Sequence, residues 1–190
     1  MKNLTEFLNE NLLNEDKDLL ALYKNQPDMY AQTLIDNAKE EGIDVTKPQN
    51  GYKFQIKLSN ENRRREVFFE LVNLLIKIRG KNADLNDIDT SNITAMNYLF
   101  KDKDFNGDIS KWDVRKVTMM NSMFEGSTFN GDISKWKISK KIWEMSKMFA
   151  NSDFNGDING WNVDASSGVY MDDIFLHSPL AKNPPKWYKE

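Results

Sequence analysis

A chain of 190 residues, 39% hydrophobic and 29% charged, is long enough for one or two small domains, and it contains no stretch approaching the roughly 18 uncharged apolar residues of a spanning helix. With 0 Cys there is no disulfide framework, thiolate nucleophile or cysteine-ligated zinc, and a single His excludes mechanisms that need two imidazoles. Lys+Arg 26 against Asp+Glu 29 leaves a net charge of -3, with 13 basic and 13 acidic residues over 1–83, so neither half carries the excess expected of a nucleic-acid or anionic-membrane binder.

In chain order, Leu4, Phe7, Leu8 and Leu12 space as one apolar helical face, and Leu19, Leu20, Leu22 and Tyr23 suggest a second short helix. Pro27 stands as the first-turn proline of a third helix that ends at Gly42. Tyr52, Phe54, Ile56 and Leu58 alternate with Lys53, Gln55 and Lys57, the pattern of a half-buried strand. Asn60 then caps a helix that buries Val67, Phe68, Leu71, Leu74, Leu75 and Ile78 and stops at Gly80. Within it, Arg63, Arg64 and Arg65 are flanked by Glu61 and Glu66 and read as a solvated turn, with phosphate contact as the sharper alternative.

The C-terminal half is an internal repeat. Phe105-Asn106-Gly107-Asp108-Ile109-Ser110-Lys111-Trp112 recurs as Phe129 to Trp136, 24 residues on, and with small changes as Phe154 to Trp161, 25 further on. Val114, Ile138 and Val163 follow each Trp by two. Each copy closes with Met120-x-x-Met123-Phe124, Met145-x-x-Met148-Phe149 or Met171-x-x-Ile174-Phe175. A degenerate first copy precedes them, with Leu85, Ile88, Ile93, Met96, Leu99 and Phe100 in phase and Ile88 in place of the Trp. The spacing of two after each Trp predicts a short strand, and the i, i+3, i+4 spacing of Met and Phe predicts one or two turns of helix. Asn106-Gly107, Asn130-Gly131 and Asn155-Gly156 are expected to supply positive-φ turns between copies. Because Trp, Met and Phe recur at one phase, they are core residues and not a cofactor box.

This unit resembles the BspA-like repeat family, a divergent leucine-rich-repeat-like branch found on bacterial surfaces and in mycoplasmal lipoproteins. The resemblance spans roughly residues 84–175, and Ser178-Pro179-Leu180 with Asn183-Pro184-Pro185-Lys186-Trp187-Tyr188 is similar to the closing segment of such arrays. Together with the helical reading of the N-terminal residues, it leads to an expected α+β fold: a mainly helical N-terminal domain over 1–82 capping the array, a short leucine-rich-repeat-like solenoid of about four coils over 83–175, and a C-terminal cap over 176–190. It also implies protein binding and no catalytic residues. Met1 to Glu15 shows no apolar signal core and no lipobox Cys, which leads to the expectation of a cytoplasmic or phage-particle-associated protein. Met1-Lys2 followed by Glu6-Phe7-Leu8-x-Glu10 resembles the head-targeting peptide of tailed-phage internal head proteins, in which cleavage after Leu8-Asn9-Glu10 or Leu13-Asn14-Glu15 is implied. The same residues also read as an amphipathic helix packing on its own domain.

Asp102 to Asp113 mimics a calcium loop, but the copies replace its ligands with Gly126, Ser127, Lys137 and Asn162, so it reads as repeat grammar. His177 has no second base beside it in sequence. No metal, cofactor or enzymatic activity is expected. The expected function is a non-catalytic protein-protein interaction module, with a phage head or virion-associated protein as the alternative. Its partner-binding face is expected at the residues alternating with the core after each Trp: Asp113, Arg115, Lys137, Ser139, Asn162 and Asp164. No nucleic-acid partner or membrane insertion is expected, and open edges leave homo-oligomerisation possible.

Overall fold

The computed structural model describes residues 27–49 and 51–189. The helices expected over Leu4–Leu12 and Leu19–Tyr23, and the head-targeting likeness of residues 1–10, lie outside the described residues. Helix α1 spans Pro27–Glu40 and α2 spans Glu61–Arg79. Helix α1 buries Ala31, Ile35 and Ala38, at i, i+4 and i+7, against α2. It unwinds at Gly42, whose φ of 77° lets Ile43 N–H close on Ala38 O at 2.9 Å. Helix α2 starts as expected, with Asn60 Oδ1 accepting from Arg63 N–H at 3.0 Å, and ends at Gly80. It buries Val67, Phe68, Leu71, Val72 and Leu75, whereas Leu74 is half-buried and Ile78 exposed.

Of the three consecutive arginines, Arg63 pairs with Glu66 on the surface, but Arg64 and Arg65 are not part of a solvated turn. Arg64 donates from Nε to Leu58 O at 2.8 Å and from Nη1 to Asn92 O at 2.9 Å, and Arg65 Nη2 reaches Asn97 O at 3.2 Å. Arg65 also lies over the Phe69 ring at 4.3 Å. These side chains pin α2 to the first repeat copy, and Phe68 reaches Trp112 of the second copy with ring centroids 5.4 Å apart.

The expected α+β architecture, with a solenoid of strand-plus-helix coils, is overturned. Among the described residues there are two α-helices, two single 3-10 turns at Ala165–Ser167 and Pro179–Ala181, and no strand or sheet. Among the described residues, β-type pairing between adjacent copies is limited to isolated parallel bridges, Asp84 with Asp108, Ala95 with Met119, Met119 with Glu144, and Glu144 with Tyr170. The alternating segment at Tyr52–Leu58 likewise forms a single bridge, Phe54 with Ile88, although Phe54 and Ile56 are buried as predicted.

The reason the Met-Phe segments are not helical lies in the backbone. Tyr98, Ser122, Lys147 and Asp173 occupy one phase of the repeat and have φ of 65, 54, 57 and 56°, which no right-handed helix admits. Asp102, Gly126, Asn151 and His177 do the same four residues later in each copy, at 55, 65, 54 and 56°. The chain therefore runs as tight turns. Leu99, Lys101 and Lys103 donate N–H three residues back to Met96, Tyr98 and Phe100, while Met96, Tyr98, Phe100 and Asp102 donate to Met119, Asn121, Met123 and Glu125 of the next copy. Apolar spacing of three and four is satisfied by turns as well as by a helix, and Met120, Met123 and Phe124 are all buried.

Because a left-handed L-residue costs about 1–2 kcal/mol and Gly returns about 0.5–1 of that as backbone entropy, Lys147→Gly is expected to stabilise the fold by about 0.5–1 kcal/mol. Chemical denaturation measures it, and a midpoint that stays or falls argues against left-handed strain at this exposed position.

The Asn-Gly pairs are also not positive-φ turns. Gly107, Gly131 and Gly156 lie outside the left-handed region and are required instead for close approach. A Cβ on Gly131 would stand 2.9 Å from both Gly107 O and the Phe129 ring, and one on Gly107 would run into Ala83 O. The Asn residues act in a ladder, Asn106 Oδ1 accepting from Asn130 N–H at 2.8 Å and Asn130 Oδ1 from Asn155 N–H at 2.9 Å.

Two columns of rings fill the core. Phe100, Phe124, Phe149 and Phe175 stack at 5.5, 5.5 and 6.0 Å, beside Phe105, Phe129 and Phe154 at 6.1 and 6.0 Å. Each Trp donates Nε1–H to a carbonyl of the preceding copy: Trp112 to Leu85, Trp136 to Ile109 and Trp161 to Ile133, at 2.9, 3.1 and 3.0 Å. Trp187 continues the series by donating to Ile158 O at 2.8 Å and stacking on Trp161. The closing segment is thus a truncated further copy, in which Lys186 N–H binds Asn159 Oδ1 as Lys111 N–H binds Asn86 Oδ1.

Candidate functional site

With packing occupied by the rings, function falls to residues that the repeat turns outward. After Trp112 the chain tightens, Val117 N–H donating to Val114 O at 3.0 Å, which leaves Arg115 and Lys116 at the apex. In the next copy Ile142 N–H closes on Ser139 O at 3.1 Å and turns out Lys140 and Lys141. These two apices, with Lys137, Thr94, Thr118 and Asn162, line an open groove of about 640 Å³ floored by Ile138.

The expected face is brought together only in part. Arg115, Lys137, Ser139 and Asn162 line this groove, and Asn162 is oriented by Nδ2 donating to Ile138 O at 3.0 Å. Asp113 holds Arg115, which donates from Nε and Nη2 to its two carboxylate oxygens at 2.9 and 2.7 Å. That pairing keeps the Asp113 carboxyl below its ordinary range, the Arg115 side chain being the largest cause. Thr90 in turn fixes the Asp113 backbone, its Oγ1 accepting from Asp113 N–H at 2.8 Å. Asp164 is exposed but is occupied in a turn, accepting from Ser166 N–H and Oγ–H at 3.0 and 2.6 Å, which likewise lowers its pKa.

Ser139 is buried, at 5% exposure, with its hydroxyl accepting from Lys141 N–H. The offset between copies is 24 from Trp112 to Trp136 but 25 from Val117 to Ile142, so one extra residue falls between them. That insertion moves Ser139 into the position of buried Val114. Lys116 and Lys140 each stand four residues after a Trp, off the set that alternates outward from it, and Lys141 lies beyond the insertion. The adjacent pair Lys140-Lys141 was the sequence signal that marked them.

Among the described residues, no group of three or more His, Asp or Glu is placed to hold a metal ion. The calcium-like residues are spread over other contacts: Asp104 pairs with Lys81 at 3.0 Å and accepts from Thr128, and Asn106 is in the Asn ladder. His177 takes a left-handed turn position and meets Asn151 at 3.1 Å. No described helix is long and apolar enough to cross a membrane.

These features define a tandem-repeat protein with ring-filled copies and a cationic groove on its outward face. The chain belongs to the DUF285 family, described as Mycoplasma protein of unknown function, whose pattern matches residues 69–187. That family is related to BspA-like surface repeat proteins. The match begins inside α2 and includes Trp187, so it takes in both elements that cover the ends of the ring columns. No curated protein and no solved structure matches the chain.

Proposed function

We propose that this chain is a protein-binding module of the BspA-like kind, whose contact surface is the groove between the second and third copies. The observation that supports this reading is a division of labour. Phe, Met and Trp repeat at fixed phase and are buried, whereas Arg115, Lys116, Lys137, Lys140 and Lys141 are all exposed and add nothing to the ring columns. Residues that packing does not require are the ones a partner selects.

Affinity capture with the full chain as bait tests it. Reversing two groove charges, Arg115→Glu with Lys137→Glu, is expected to reduce recovery of the captured partner by about tenfold while leaving the unfolding midpoint in place, since rim and groove charges govern association more than folding. An unchanged set of captured proteins overturns the reading.

A further inference from the structure

The groove joins five cations, and among the described residues the only carboxylate bonded to any of them is Asp113 on Arg115. Lys116 donates to Asn92 Oδ1 at 2.7 Å, a neutral acceptor, and shares with Arg115 the field of the single Asp113 carboxylate. Among the described residues, no ammonium of Lys137, Lys140 or Lys141 is hydrogen-bonded or ion-paired. A local excess of this size stands against a chain whose net charge is -3. The corresponding positions of the neighbouring copies are Ser91 and Asn92 before, and Ala165 and Ser166 after, so the apex cations are confined to the second and third copies.

We infer that this groove takes an acidic polypeptide segment, a run of Asp and Glu in a partner protein, an assignment that rests on the protein-binding reading above. Charge complementarity sets the sign of the occupant. Its class follows from the lining. Lysine stems and Ile138 make the floor carbon-rich, which suits the backbone and aliphatic carbons of a peptide lying beneath a ring of ammonium groups. Among the described residues no aromatic ring lines the groove, so they offer no platform for the base stacking on which single-stranded nucleic acids rely. Thr94 and Thr118 add hydroxyls along the same wall, Thr118 being oriented by its own bond to Thr94 O at 3.2 Å. Arg115, held flat by Asp113, keeps donors free for a second carboxylate, because a guanidinium carries more N–H groups than one carboxylate accepts.

The test is fluorescence anisotropy of the full chain with three labelled probes at low salt: a short peptide of alternating Glu and Ser, its Gln-for-Glu counterpart, and an oligothymidylate of equal charge. The Glu peptide is expected to bind, to weaken about tenfold with Lys137→Glu plus Lys141→Glu, and to release at about 0.5 M NaCl, where exposed charges are screened within a few ångströms. The Gln peptide is expected not to bind. Equal binding of the Glu peptide by wild type and variant, or no binding at all, overturns the assignment. Oligothymidylate binding as tightly as the Glu peptide overturns the polypeptide class in favour of a general polyanion surface. If the Glu peptide fails while capture still depends on Arg115 and Lys137, the partner chemistry alone is wrong; if capture is also insensitive to them, the protein-binding reading falls with it. Both substituted lysines are exposed, and an unchanged circular dichroism melt establishes that the variant folds.

Discussion

Replacing Arg79 with Ala is expected to lower the unfolding free energy by about 3–5 kcal/mol, the range for removing one partner of a buried ion pair. Arg79 is the last residue of α2, and its side chain is 2% exposed against 4% for Asp87. It donates to the two carboxylate oxygens of Asp87 at 2.8 and 2.7 Å, and also to Val45 O at 2.7 Å and Asp84 O at 2.8 Å. One guanidinium therefore ties the end of α2 to the loop after α1 and to the start of the first repeat copy. Truncation strands a buried carboxylate and two carbonyls that water does not reach readily. The double variant Arg79→Met with Asp87→Leu removes the stranded charge and is expected to recover part of the loss, the remainder reflecting the carbonyls of Val45 and Asp84. Denaturant unfolding followed by Trp fluorescence measures both. A single-variant loss below about 1 kcal/mol would show that the pair is solvated in solution, as surface ion pairs are.

That clamp was not legible in the sequence, because Arg79 reads there only as a cation suited to the C-terminal end of a helix and Asp87 as one acid among several. What sequence periodicity reports is which side chains are buried. It identified the Phe, Met and Trp sets, Asn60 as a cap and Gly80 as a stop, all of which the structure bears out. It does not report backbone conformation. Met120, Met123 and Phe124 fit a helical face, yet Ser122 between them sits at φ 54°, and nothing in the residue type Ser announces a left-handed turn. The converse error occurred at Gly107 and Gly131, where glycine suggested positive φ and is instead required by a carbonyl of the preceding copy.

The candidate site was legible only as far as the phase of the repeat held. Arg115 and Lys137 follow their Trp residues at equivalent or alternate positions and both reach the groove. Ser139 lines the groove as a buried residue, because a single inserted residue between Trp136 and Ile142 shifts the outward positions by one, and Lys140 and Lys141 lie beyond that insertion. A one-residue slip exchanges inside for outside wherever a backbone alternates.

Phe124→Ala is expected to be the most damaging single truncation in the repeats, at about 3–5 kcal/mol, the range for removing a buried Phe that cannot be replaced by collapse of its surroundings. Its ring is fully buried, and its centroid lies 5.5 Å from Phe100, 4.5 Å from Phe129 and 5.5 Å from Phe149. These neighbours are themselves locked in stacks and held by backbone bonds between copies, so the void stays open. In a tandem repeat, stability is a sum of units and the interfaces between them, and this ring belongs to the interfaces on both of its sides. Its loss is therefore expected to broaden the transition as well as shift it, with the copies before and after position 124 unfolding separately. Tyr170→Ala, where the ring is 58% exposed and touches Trp143 edge-on at 6.4 Å, is the matched control and is expected to cost about 0.5 kcal/mol. Guanidinium unfolding of both variants decides the matter: a Phe124→Ala loss no larger than that of Tyr170→Ala would mean that the copies do not share one continuous core.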